Sequence, residues 1–135
     1  MFTKPKNGWV NLELSNLSLR ASYLTNVPNN CLDAFIYGLK NNRPVTIFFD
    51  AEGWDFHLVS SHYCSYIIVH KDKLTVHLIS KDFRELAQEL IDDIELYLYD
   101  WANWECYDDK SESEIEDISD MLYGKVLILK SLLNK

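Results

Sequence analysis

The chain is poor in the residues that build loops, staples and phosphate cradles. It has four glycines, three prolines and three cysteines in 135 residues. With so little glycine there is no phosphate-wrapping loop and no GxSxG elbow for a serine nucleophile. Cys31, Cys64 and Cys106 are odd in number, widely spaced and contain no CxxC pair. That pattern argues against a disulfide framework and against a zinc knuckle, and leaves reduced, mostly buried thiols as the expectation. No apolar run approaches the roughly 18 residues that cross a bilayer. The opening MFTKPKNGWV has no apolar signal-peptide core. A cytoplasmic protein without membrane contact is expected. At this length one domain, residues 1–135, is the prior, with roughly two-thirds of the unfolded surface buried.

What is present is acid, unevenly placed. Residues 82–120 hold 15 Asp and Glu against Arg84 and Lys110, a net of −13; the rest holds 6 acids against 11 Lys and Arg, a net of +5. Phosphates would be repelled by the acidic third, so direct nucleic-acid binding is not expected there. A basic protein partner is favoured instead.

Residues 1–8 read as a flexible arm, because Lys4-Pro5-Lys6-Asn7-Gly8 is turn chemistry. Trp9–Leu14 and Leu17–Leu24 alternate apolar and polar residues. A two-residue turn at Ser15-Asn16, with Asn16 left-handed, pairs Leu14 with Leu17, Leu12 with Leu19 and Val10 with Ala21 on one face. A helix starts near Thr25-Asn26 with Pro28 in its first turn. It buries Cys31, Leu32, Phe35, Ile36 and Leu39, and stops at Asn41-Asn42.

Four strands follow, over Val45–Asp50, Trp54–Ser60, Cys64–His70 and Leu74–Ser80. In the first pair Phe49 faces Trp54, Ile47 faces Phe56 and Val45 faces Leu58. In the last pair Val69 faces Leu74, Ile67 faces Val76 and Ser65 faces Leu78. His57 and His77 then both point outward. Phe48, Tyr66 and Ile68 make that outer face partly apolar.

Lys81 to Trp104 reads as one long helix. Phe83, Leu86, Ala87, Leu90, Ile91, Ile94, Tyr97, Leu98 and Trp101 make its apolar stripe. A polar connection at Cys106–Lys110 leads to a second helix. That helix is capped by Ser111 with Glu114 and carries Ile115, Ile118, Leu122, Val126, Leu129 and Leu133; Gly124 weakens it by about 1 kcal/mol or breaks it. The order ββαββββαα implies an α+β fold, an antiparallel sheet of about six strands with helices packed on one face.

No residue set suggests a metal or cofactor site. His57, His62, His70 and His77 have no ligand spacing. Asp55, His57 and Ser60 or Ser61 lie close in sequence, and Asp55, His57 and His77 are the group a small enzyme would use, but no oxyanion hole is visible. No enzyme is expected. On the long helix, Leu96 and Tyr99 fall outside the apolar stripe, among acids. The candidate partner-binding set is Glu85, Glu89, Asp92, Asp93, Leu96, Tyr99, Asp100 and Asn103: two apolar anchors within a charged rim. The competing readings are that Leu96 and Tyr99 pack beneath the last helix, or that the outer sheet face is the interface of a non-catalytic interaction module or homodimer.

The run Ala21-Ser22-Tyr23-Leu24-Thr25, the amphipathic helix after it, and a strand ending near Asp50-Ala51-Glu52-Gly53-Trp54 resemble a group of small bacterial proteins. Those carry an "ASYLTD" stretch, an acidic "EPG"-like turn and a long helix after the sheet. The resemblance covers residues 9–105, with Asn26 in place of the Asp and no proline in the turn. More broadly, a small acidic α+β chain resembles immunity proteins of polymorphic-toxin and contact-dependent growth-inhibition systems. The resemblance implies a bacterial protein that binds and neutralises a cognate basic toxin domain, often a nuclease, as a monomer or weak homodimer. No family residue carries over to a position here.

Overall fold

The computed structural model describes residues 1–105 and 110–135. The strands are β1 (Trp9–Leu14), β2 (Leu17–Ser22), β3 (Val45–Asp50), β4 (Asp55–Ser60), β5 (Ser65–His70) and β6 (Leu74–Ile79). The helices are α1 (Val27–Asn41), α2 (Phe83–Leu96), α3 (Leu98–Ala102) and α4 (Glu112–Leu133). The fold is α+β in the expected order, but the strands form two antiparallel sheets, β1-β2 and β3-β4-β5-β6. The connection expected at Cys106–Lys110 lies, apart from Lys110, outside the described residues.

The β1–β2 register is the expected one, Leu14 to Leu17, Leu12 to Leu19 and Val10 to Ala21. Its left-handed turn residue is Ser15 (φ 55°), not Asn16. In α1, Pro28 sits in the first turn and Asn42 closes the helix in the left-handed conformation (φ 51°), its N–H bonding the Gly38 carbonyl. Asn26 stands at the N-cap without a side-chain bond.

Two registers differ from expectation, with unequal consequences. Between β3 and β4 the pairing is Phe49 to Phe56 and Ile47 to Leu58, a slip of two residues. A two-residue slip keeps every side chain on its face, so the buried row survives. Between β5 and β6 it is Ile67 to His77 and Ile68 to Val76, a slip of one. A one-residue slip exchanges the faces. Leu74, Val76 and Leu78 therefore stand on the outer face, 65%, 59% and 79% exposed, instead of inside. His77 turns to the inner side, where its ring lies 3.1 Å from the Thr75 hydroxyl.

The inner face of the larger sheet is the core. Val45, Ile47, Phe49, Phe56, Leu58, Ile67 and Val69 pack in one cluster with Leu86, Leu90, Ile91 and Ile94 of α2 and Leu122, Val126 and Leu129 of α4. Opposed Ser60 and Ser65 are fully buried, and their hydroxyls satisfy each other at 2.7 Å. α4 runs unbroken through Gly124, where among the described residues nothing lies within 4 Å of the place a Cβ would take.

Residues 1–8 are docked, correcting the expectation of a free arm. Phe2 bridges Leu12 and is 5% exposed. Its ring meets Trp101 edge-on at 5.6 Å and Phe49 at 6.1 Å. A large apolar side chain at position 2 outweighs the turn chemistry that follows it, because burying a Phe stabilises by about 2–3 kcal/mol.

Candidate partner-binding surface

The acidic surface is built on α2 and its continuation. Asp82 caps α2, its carboxylate accepting from the Arg84 N–H (2.9 Å) and the Glu85 N–H (3.0 Å), while Glu85 reaches back to the Asp82 N–H. Negative charge at this end also complements the helix dipole. The stripe Phe83, Leu86, Ala87, Leu90, Ile91 and Ile94 is buried as expected. The long helix, however, breaks at Tyr97 (φ −117°, ψ 32°). Beyond the break, Trp101 of α3 and Trp104 just after it belong to the core, 2% and 4% exposed and 5.2 Å apart.

The eight candidate residues divide. Glu89 and Asp93 point at the chain's own N-terminal segment. The Met1 ammonium lies 3.2 Å from Glu89 and 3.4 Å from Asp93, the Phe2 N–H donates to Asp93 at 2.8 Å, and Lys81 donates to Glu89 at 2.7 Å. Desolvation pushes both carboxyls up. At Glu89 the hydrogen bonds from Lys81 and the ammonium overcome it and hold the group below its ordinary value. At Asp93 burial prevails over the Phe2 amide and the ammonium, and the group stays above its ordinary value. These two carboxylates hold the fold together and are not open to a partner. Asp100 lies 3.8 Å from exposed Lys4, a pair worth little. Asn103 is exposed, and its backbone N–H closes α3 on the Asp100 carbonyl.

Glu85 and Asp92 remain outward, Asp92 accepting from the Gln88 amide at 3.0 Å. Leu96 and Tyr99 are 70% and 64% exposed, so neither is packed beneath α4. Tyr99 instead overlooks the first turns of α4. With Glu112, Ile115, Glu116 and Ser119 it lines an open recess of about 330 Å³. Glu112, Glu114, Glu116, Asp117 and Asp120 are all exposed, and none has a cation partner among the described residues.

The candidate set missed this α4 run, although its charge belongs to the net −13. A projection of one helix cannot show that α3 turns Tyr99 towards another. Glu95, also outside the set, is ion-paired to Lys130 of α4, which raises the Lys130 ammonium above its ordinary value.

The alternative group does not assemble. Asp55 has His57 at 3.8 Å and His70 at 4.0 Å, both beyond hydrogen-bond length. His77 lies on the opposite face of the sheet, a correction to its expected outward position. The Ser60 hydroxyl is buried against Ser65, and the Ser61 hydroxyl bonds the Cys64 carbonyl. Cys31 is fully buried, which pushes its thiol far up; Cys64 is exposed, against the expectation of burial. Among the described residues no three His, Cys, Asp or Glu converge as metal ligands, and no helix is long and apolar enough to cross a membrane. In comparison with known proteins, no family model, no curated protein and no solved structure matches this chain.

Proposed function

We propose that this chain is a binding protein that covers and neutralises a basic protein toxin domain, in the manner of the immunity proteins it resembles. The observation that carries this reading is the exposure of Leu96 and Tyr99, with Tyr99 beside Glu112 and Glu116 at the start of α4, acids that have no cation partner among the described residues. Exposed aromatic and aliphatic anchors beside a charged rim are the composition of an interface hot spot. The acidic field speeds encounter with a positively charged partner, while the anchors set how long the complex lasts. Glu89 and Asp93 are withdrawn from that role. Glu112, Glu116 and Asp117 enter it, beside Glu85, Asp92 and Asp100.

The test is to express the basic protein domains encoded by the neighbouring genes and to measure their binding to this chain by calorimetry and stopped flow. Leu96→Ala with Tyr99→Ala weakens binding by several kcal/mol, through dissociation. Glu116→Gln with Asp117→Asn slows association and flattens its salt dependence. Unchanged affinity in the first double variant removes this surface from the interface, and absence of any complex removes the reading.

A further inference from the structure

The larger sheet ends at β6, and among the described residues no strand pairs with its outer edge. An edge strand presents a row of unpaired N–H and C=O groups, and monomeric proteins blunt such edges with charge, proline or a bulge. β6 has none of these. Its sequence is Leu-Thr-Val-His-Leu-Ile, with Leu74, Val76 and Leu78 well exposed on the outer face. The tip of the first hairpin does not close the edge. Ser15, Asn16 and Leu17 stand across an open groove of about 600 Å³ from Val76, His77, Leu78 and Ile79.

We propose that β6 pairs antiparallel with β6 of a second copy, joining two four-stranded sheets into a continuous one. Charge selects this occupant. The acids of α2 and α4 repel a second copy, whereas β6 carries no Asp, Glu, Lys or Arg and its preceding turn, Lys71-Asp72-Lys73, is close to balanced. The basic partner proposed above is drawn to the acidic helices and has no electrostatic reason to sit here. A two-fold axis perpendicular to the sheet keeps equivalent residues on the same face, so a residue of β6 must face itself. Centring on Val76 sets Leu74 against Leu78 of the second copy at both ends, and Thr75 against His77 on the other side. Every outward position then gains an apolar cross-strand neighbour.

This surface is separate from that of the proposed function, so either can fail alone. Sedimentation velocity across the micromolar range gives a concentration-dependent dimer. Val76→Lys, which sets two ammonium groups opposite each other, weakens it about tenfold or more while far-UV circular dichroism is unchanged. In a Cys64→Ser, Cys106→Ser background, Val76→Cys cross-links on mild oxidation, because directly opposed strand residues lie within disulfide reach. Thr46→Cys, on the far strand β3, does not. A monomer throughout that range overturns the proposal and leaves the edge to a strand from another protein. So does a dimer indifferent to Val76→Lys, or a Val76→Cys protein that links no faster than Thr46→Cys.

Discussion

Truncating Phe2 tests whether the first residues belong to the fold. Its side chain is 5% exposed, between Phe49 and Trp101. Removing a buried Phe costs about 3–5 kcal/mol. A chain of 135 residues has roughly 7–20 kcal/mol of stability in total, so Phe2→Ala removes a large share of it. At about 2–4 °C per kcal/mol the midpoint falls by roughly 6–20 °C. Asp93 supplies an independent handle on the same clasp. Asp93→Ala leaves the Phe2 amide without its acceptor and costs about 1–3 kcal/mol. Asp93→Asn keeps an acceptor oxygen and removes a charge that burial disfavours, so it costs much less. Urea denaturation of the single variants and of Phe2→Ala with Asp93→Ala completes a cycle, with coupling of at least about 0.5 kcal/mol because the two residues touch. A cost below about 1 kcal/mol for Phe2→Ala, with additivity in the cycle, refutes the docked arrangement and restores the free arm.

The remaining expectations concern charge, backbone and surface. Glu89 has its carboxyl held below the ordinary value in the folded state. Its contribution is therefore complete above the unfolded value of about 4.3 and is lost as pH falls through the lower folded one. Urea melts should show the gap between the parent and Glu89→Gln constant near neutrality and closing in acid; a gap that widens in acid contradicts the assignment. Gly124→Ala, with open space around the new Cβ, should raise the thermal midpoint by the equivalent of up to about 1 kcal/mol. Gly38→Ala should lower it, because its Cβ would stand 3.0 Å from the Arg43 carbonyl oxygen and 3.2 Å from Val45. Leu96→Ala and Tyr99→Ala should leave stability within about 0.5 kcal/mol of the parent, which a thermal melt checks before any binding loss is interpreted.

Elements whose signal is local were legible in the sequence. Alternation with one short turn was enough to set the β1–β2 register, since any odd slip would turn Leu12 and Leu14 to solvent. The Ser111–Glu114 cap of α4 stood at the expected spacing, and Asn42 closed α1. What failed was non-local. β6 carries apolar residues at Leu74, Val76 and Leu78, and a pairing that hid them looked better than one that exposed them. The structure hides Ile79 instead and brings the hairpin tip alongside. The break at Tyr97 was invisible for a similar reason: Trp101 and Trp104 both fall on the stripe of a continuous helix, so the apolar period carries no sign of the interruption.

The acid of residues 82–120 was read as one surface, and its physical roles separate into two. Carboxylates on α2 that face a cation inside the chain have already been neutralised: Glu89 by Lys81 and the terminal ammonium, Asp93 by the same ammonium and the Phe2 amide, Glu95 by Lys130. Their removal should be felt as lost stability. Carboxylates at the start of α4 have no such partner among the described residues, and they stand at three- and four-residue spacing, where like charges repel and cost the helix a few tenths of a kcal/mol per pair. A cation brought from outside would relieve that repulsion, and Tyr99 stands at the edge of the same recess with most of its ring in water. The division gives the binding hypothesis a signature that total charge alone lacks. Neutralising Glu116 and Asp117, which lie beyond the first turn of α4 where the dipole favours acid, should stabilise the free protein slightly while slowing association, whereas neutralising Glu89 should destabilise the free protein and leave the association rate nearly unchanged.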